Sequence, residues 1–207
     1  MSPVPVSKHI RWDVGQVTRA QRESVRGHRG AALWLTGLSG SGKSTLARAV
    51  ESALCARGIS AYVLDGDNLR HGLCSDLGFS PDARRENVRR VGEVAKLFVD
   101  AGVLVLCAFV SPYRADRDRL RATMASGDFV EVYVKASIET CKARDPKGLY
   151  VKSAQGEITD MTGVGAPYEA PENPDLVIDT ESHEPSESVE QALRYLQENG
   201  YMPAVGK

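Results

Sequence analysis

No charge of one sign dominates this chain: 26 Lys and Arg against 27 Asp and Glu leave a formal net charge of −1. That balance argues against a general polyanion-binding surface, so no nucleic-acid partner is expected. Long hydrophobic runs are missing too. The longest, Ala101 to Val110, is about half a membrane span, and Met1 to Lys8 has no charged-then-apolar leader pattern. A soluble, cytoplasmic protein without a membrane partner is the expectation. Cysteine is sparse: Cys55, Cys74, Cys107 and Cys141 are scattered, with no C-x-x-C or Cys/His ligand spacing, which suits reduced thiols used in packing. Internal repeats and low-complexity tracts are absent. The 207 residues fit one domain with room for a mobile insertion, long enough to bury roughly 70% of the unfolded surface.

What is present centres on Gly37-Leu38-Ser39-Gly40-Ser41-Gly42-Lys43-Ser44-Thr45, a full G-x-x-x-x-G-K-[ST] phosphate loop. The apolar run Ala31 to Thr36 before it reads as a strand, and Thr45 to Glu51 after it reads as a helix, which is the context the motif requires. Glycines let backbone N–H groups turn inward around phosphates, Lys43 reaches the outer ones, and the Ser44 hydroxyl is placed to hold Mg²⁺. The helix N-terminus adds partial positive charge.

Further strand candidates are Ala61–Leu64, Val103–Val110, Phe129–Val134 and Leu176–Ile178. Strands alternating with amphipathic stretches imply an α/β fold, a mostly parallel sheet covered on both faces. Ser80 as cap, Pro81 in the first turn and Val88, Val91, Ala95 and Phe98 on one face predict a helix that Gly102 ends. Its other face offers Glu86 to Arg90 and Arg89 to Glu93 as helical pairs. Arg84, at the helix start, is free to face a ligand. From Arg144 to about Pro174, glycines and prolines break every apolar period, and a loop of that length in a nucleotide enzyme reads as a lid. Val189, Ala192, Leu193 and Leu196 mark a final packing helix over Pro185 to Asn199. Residues 1 to about 29 form a polar arm on the body of a phosphate-loop domain spanning 30–207, with its lid near 145–174. The arm's Arg19, Arg22, Arg26 and Arg29 read first as a solvated face.

A phosphate loop alone admits kinases, GTPases, ATPase motors and transporter subunits. The base-reading Asn-Lys-x-Asp segment of GTPases is absent. The strand Val103–Val110 ends in Ser111-Pro112-Tyr113-Arg114, without the carboxylate usual in motors. Acidic residues follow the preceding strand instead, as Asp65-Gly66-Asp67-Asn68. Alone these would be an Asx turn. In a doubly wound sheet, ligands bind beyond the carboxyl ends of strands, so Ser44, Asp65, Asp67 and Ser111 should converge. Phosphoryl transfer needs positioning, charge stabilisation and a carboxylate for the acceptor hydroxyl. Either aspartate can serve the acceptor while the other supports the metal.

Five segments together resemble the adenylyl-sulfate kinase family: the phosphate loop, Leu64 to Leu73, Arg84 to Arg90, Phe109 to Arg114, and Arg144-Asp145-Pro146-Lys147-Gly148-Leu149-Tyr150. They come in the family's order and spacing, from about Trp12 to Pro174. The resemblance implies a phosphate-loop kinase fold with a five-stranded parallel sheet, and transfer of the ATP γ-phosphate to the ribose 3′-hydroxyl of adenylyl sulfate. Lys43, Asp65, Asp67 and Ser111 would be catalytic. Gly37 to Thr45 and Arg144 would bind ATP, with Mg²⁺ on Ser44 and Asp65. Asp67, Arg70, His71, Phe79, Arg84, Asn87, Val110, Ser111, Lys147 and Met161 would bind adenylyl sulfate. A phosphoserine role at Ser111 stays open beside direct in-line transfer. The family also implies a homodimer and allows a sulfurylase partner. Alternatives are a kinase of another small hydroxyl substrate and a non-catalytic module on the same fold; intact Lys43, Ser44, Asp65 and Asp67 argue against the latter. The chain departs from the family pattern at Met161, where an aromatic usually covers the substrate adenine. It departs also at Ala83, at Gly165, and in the weakly basic stretch Val151 to Gln155.

Overall fold

The computed structural model of the chain describes residues 9–11, 13 and 15–203; the rest of the arm, Trp12 included, lies outside them. The chain runs α1 (Arg19–Arg26), β1 (Ala31–Thr36), α2 (Lys43–Cys55), β2 (Ala61–Asp65), α3 (Gly66–Leu69) and α4 (Pro81–Asp100). It continues through β3 (Leu104–Ala108), α5 (Arg114–Arg121), β4 (Phe129–Lys135), α6 (Ile138–Arg144), α7 (Leu149–Ala154), β5 (Leu176–Asp179) and α8 (Pro185–Glu198). The five strands pair in the order β2-β3-β1-β4-β5, all parallel.

Alternation along β1 explains why the sheet carries helices on both faces. Ala31, Leu33 and Leu35 join α2 and α8 in one core, with Leu46, Val50, Leu54, Leu193 and Leu196. Ala32 and Trp34 join α4 and α5 in the other, with Val88, Val91, Ala95 and Leu120. Every residue of the strand is buried, and each fully buried leucine contributes about 1.5–3 kcal/mol relative to exposure. β1 therefore sits at the centre, and its carboxyl end delivers the phosphate loop to the middle of the sheet edge.

Local signals set the element ends. Ser80 caps α4 by accepting the Ala83 N–H, with Pro81 in the first turn. Val99 rather than Phe98 completes its buried stripe; Phe98 is half-buried and stacks on Tyr62. On its outer face Glu86 pairs with both Arg89 and Arg90, so the expected Arg89–Glu93 pair is replaced by one a turn earlier. Glu93 pairs with Lys96 instead.

The arm is not a merely solvated face. Thr18 and Gln21 form a capping box at the start of α1. Arg19 then reaches Asp128 and the Gly30 carbonyl, Arg22 reaches Asp100, and Arg26 reaches the Ala101 carbonyl and the Ser60 hydroxyl. A stripe of guanidinium groups thus replaces the apolar stripe that a docked helix usually carries, and no residue of α1 is buried. Among the described residues no helix is long and apolar enough to cross a membrane.

Candidate active site

The carboxyl ends of the strands open into a cleft of about 1220 Å³. The phosphate loop forms one wall. Gly40 approaches Cys141 so closely that a Cβ there would stand 2.8 Å from the Cys141 carbonyl oxygen, and its φ of +81° suits only glycine. Gly42 ends the loop as the residue preceding α2. Ser39, Gly40, Gly42, Lys43, Ser44 and Thr45 line the cleft, whereas Gly37, Leu38 and Ser41 lie beneath it. Gly37 packs against the Val134 carbonyl, Leu38 joins the lid's small core, and Ser41 is wholly buried.

Lys43 folds back over its own loop, its ammonium 2.9 Å from the Gly37 carbonyl and 2.6 Å from that of Leu38. Burial pushes it from the ordinary 10.5 down to about 8, and nearby Lys147 adds to this. The cation is thus held where desolvation makes it hungry for negative charge. Asp65 ends β2 and caps α3, its Oδ1 accepting the Asp67 N–H at 3.0 Å. Burial raises this carboxyl, but Ser44, the Asp67 N–H and Arg48 together outweigh that and hold it below the usual range. Its Oδ2 is buried with no hydrogen-bond partner, with the Arg48 guanidinium at 3.5 Å.

An orphaned anionic oxygen beside the Ser44 hydroxyl suits a small hard cation, so the residues present fit Mg²⁺. Among the described residues no group of three or more His, Cys, Asp or Glu gathers to cage a metal.

The opposite wall is built from α3, α4 and the lid. Asp67 is exposed, and its carboxylate pairs with Lys147. Phe79 presents an exposed ring flanked by the guanidinium groups of Arg70, 4.2 Å from its centroid, and Arg84, at 5.7 Å. Asn87, one turn into α4, is buried and lines the cleft with its Nδ2 unpartnered. Arg84 also holds the lid: Nη1 donates to Thr162 Oγ1 and Nη2 to the Asp160 carbonyl, both at 2.8 Å. Val110 and Ser111 form the floor. Ser111 has φ +39°, in the left-handed region that favours glycine. Strain of this kind persists only where surroundings enforce it.

One expected site residue falls outside the cleft, and another lines it from the core. His71 sits in the turn after α3, exposed and outside the cleft lining, because the chain turns outward there through the Asn68 carbonyl to His71 N–H bond. Met161 reaches the cleft but is chiefly core: it is 6% exposed and packs with Ala136, Cys141 and Tyr150 under the lid. The lid itself is less irregular than the broken pattern suggested. It contains α7, tied to the loop by the Tyr150 hydroxyl on the Ser39 carbonyl at 2.9 Å. At Gly165 a Cβ would stand 1.9 Å from the Thr159 carbonyl oxygen, so this lid conformation accepts no side chain there.

Arg144, at the end of α6, lines the cleft and donates to the Thr180 carbonyl and hydroxyl, and that hydroxyl bonds the Ser41 carbonyl at 2.8 Å. Thr180, Ser188, Val189 and Arg48 also line the cleft and were not foreseen. Thr180 directly follows a strand, so the carboxyl-end rule marks it. Arg48 stands four residues after Ser44 on α2 and shares its face. Ser188, whose buried hydroxyl is unpartnered, carries no signal in the sequence.

A parallel sheet with a phosphate loop at its centre, a cation-ready Ser44–Asp65 corner and a lid over a second, arginine-rich wall defines a phosphate-loop kinase. The Adenylylsulphate kinase family model matches residues 29–179. Adenylyl-sulfate kinases of Staphylococcus epidermidis and Shewanella amazonensis are 55% and 57% identical over 196 residues, covering 95% of this chain and 98–99% of theirs. The Mycobacterium tuberculosis APS kinase CysC, solved in complex with AMPPNP and APS, superposes with a TM-score of 0.79 at 48% identity. That match covers 82% of this chain and 98% of that one. A gluconokinase from Sinorhizobium meliloti, at 22% identity and TM-score 0.57, shares the fold. The chain belongs to the adenylyl-sulfate kinase family.

Proposed function

We propose that the chain transfers the γ-phosphate of ATP to the ribose 3′-hydroxyl of adenylyl sulfate, giving 3′-phosphoadenylyl sulfate and ADP. The observation that carries this reading is the single cleft with two unlike walls: a phosphate loop with Lys43 and Ser44, and an exposed Phe79 between Arg70 and Arg84. The first suits a nucleoside triphosphate. The second suits a flat base joined to an anionic group.

The roles divide as the geometry suggests. The N–H groups of the cleft-lining loop residues Ser39, Gly40, Gly42, Lys43, Ser44 and Thr45, with the Lys43 ammonium, hold the β- and γ-phosphates and offset charge in the transition state. Ser44 and Asp65 would hold Mg²⁺, which would supply further neutralisation of phosphate charge. Asp67, exposed in mid-cleft, orients the 3′-hydroxyl and accepts its proton as the new P–O bond forms and the bond to the ADP oxygen breaks. Lys147, its partner, is then free for a phosphate or sulfate oxygen. Arg84 and Asn87, three residues apart on α4, address adenylyl sulfate while Arg84 closes the lid over it. Arg144 and Thr180 bind the ATP side, and in-line transfer needs no covalent step at Ser111. A homodimer is part of this proposal, carried over from the family.

The test is ADP release with adenylyl sulfate set against AMP, gluconate and other small hydroxyl compounds. Rapid release with adenylyl sulfate alone is expected. Equal or faster release with another acceptor would favour the kinase of a different small substrate.

A further inference from the structure

Beneath the Ser111 turn lies a buried charge network that touches neither substrate wall. Arg117, on α5, has no exposed surface. Its Nε donates to Glu131 Oε1 at 2.6 Å, its Nη1 to the Ser111 carbonyl at 2.7 Å, and its Nη2 to the Glu169 carbonyl at 2.8 Å. Burying a guanidinium is costly unless its donors are matched, and the Glu131 carboxylate alone would neutralise it. The remaining two bonds go to the backbone of the Ser111 turn and of the Glu169 segment packed on it. Glu169 completes the staple: its N–H donates to the Pro112 carbonyl at 2.8 Å and its Oε2 accepts the Arg114 N–H at 2.7 Å.

The Ser111 side chain is held from the opposite direction. Trp34 Nε1 donates to Ser111 Oγ at 3.1 Å. The indole cannot shift: it is fully buried and stacked on Phe109 at 5.4 Å and Phe129 at 6.0 Å. Trp34 and Glu131 are register neighbours on β1 and β4, so one sheet position supplies both anchors. A hydroxyl has one hydrogen and two lone pairs. With Trp34 donating, a lone pair is occupied and the hydroxyl hydrogen is left for an acceptor on the cleft side.

We propose that Trp34 and Arg117 are positioning residues for the phosphoryl transfer proposed above. Arg117 fixes the left-handed backbone of Ser111, and Trp34 fixes its hydroxyl as a donor to an anionic oxygen of the bound substrates. The proposal rests on the reading of Ser111 as a site residue, and neither Trp34 nor Arg117 lines the cleft. It makes φ +39° at Ser111 a maintained feature of the active site.

A double-mutant cycle separates positioning from packing. Trp34→Phe keeps a ring between Phe109 and Phe129 while removing the N–H donor and part of the ring volume, and the cycle cancels the packing loss common to both backgrounds. Loss of one such bond should lower kcat about tenfold in the natural background, with KM for ATP within about twofold. In a Ser111→Ala background the same substitution should cost almost nothing further, because the group it positions is gone. Arg117→Lys, which keeps a cation opposite Glu131 but lacks the planar fork for three acceptors, is the second variant and should show the same non-additivity. The Trp34 indole N–H resonance should also shift on Ser111→Ala. Equal kcat losses in both backgrounds, or no loss in the natural one, would overturn the positioning claim. A Ser111→Ala enzyme with the full natural rate would overturn the role of Ser111 itself.

Discussion

Lys43 and Asp65 carry opposite charges into the same buried corner, and the cost of putting them there is what prepares the site. The ammonium is desolvated and answers to the Gly37 and Leu38 carbonyls and the Ser41 hydroxyl of its own loop, with its pKa lowered to about 8. A basic group depressed in the folded chain contributes stability that is present above its unfolded value and lost as pH falls through the folded one. The window is therefore about pH 8 to 10.5, and below it the buried charge costs on the order of 3 kcal/mol. Lys43→Met should be more stable than the natural chain at pH 7, with the gap closing toward pH 10 in thermal melts. A gap that widens with pH would contradict the sign. The same variant should lose roughly 10²- to 10³-fold in kcat, because a cation aimed at the transferred group is gone. By the same reasoning ATP binding at pH 8.5 should take up protons, measured calorimetrically in buffers of different ionisation enthalpy.

At the scale of elements, the lid and the arm are held by arginines rather than by apolar faces. Arg84 spans α4 and the lid through Thr162 and Asp160 while flanking Phe79. Arg84→Ala should therefore weaken adenylyl sulfate more than ATP in calorimetric titrations, and should speed hydrogen exchange over 157–166. Equal losses for both ligands would remove Arg84 from the substrate side. In the arm, Arg19 is the main partner of Asp128, which is itself almost buried. Charge-assisted bonds of this kind contribute about 1.5–3 kcal/mol, so Arg19→Ala should lower thermal stability measurably while kcat stays within about twofold of natural. A large fall in kcat without a fall in stability would place the arm in the reaction instead.

Legibility followed the physics of each element. α4 was readable to within a residue because cap, first-turn proline and apolar period agree. α7 was hidden because its six residues hold too few apolar positions to set a period, and Gly148 and Gly156 bracket it. The loop, Asp65, Asp67 and Ser111 were readable as a converging set, since each follows a strand whose carboxyl end the parallel topology gathers. Met161 lines the cleft while packing in the lid core, and His71 lies outside the lining: a motif position gives sequence neighbourhood, whereas facing the cleft or the core is decided by how the lid and the α3 turn pack. The hub of Trp34 and Arg117 was invisible because burial of an arginine on α5 depends on a partner fourteen residues away on β4.

At the scale of the molecule, a sheet with both faces covered brings five strand ends to one edge, and a lid divides that edge into a triphosphate wall and an arginine-rich wall. The account stands or falls on what crosses between them. The most direct measurement is a ³¹P NMR spectrum of the complete reaction, with the chain, Mg²⁺, ATP and adenylyl sulfate mixed and followed to completion. The account predicts one new phosphomonoester resonance, coupled to the ribose 3′ proton, growing in step with ADP. Loss of γ-phosphate as inorganic phosphate alone, or a phosphomonoester on any other position, would contradict it.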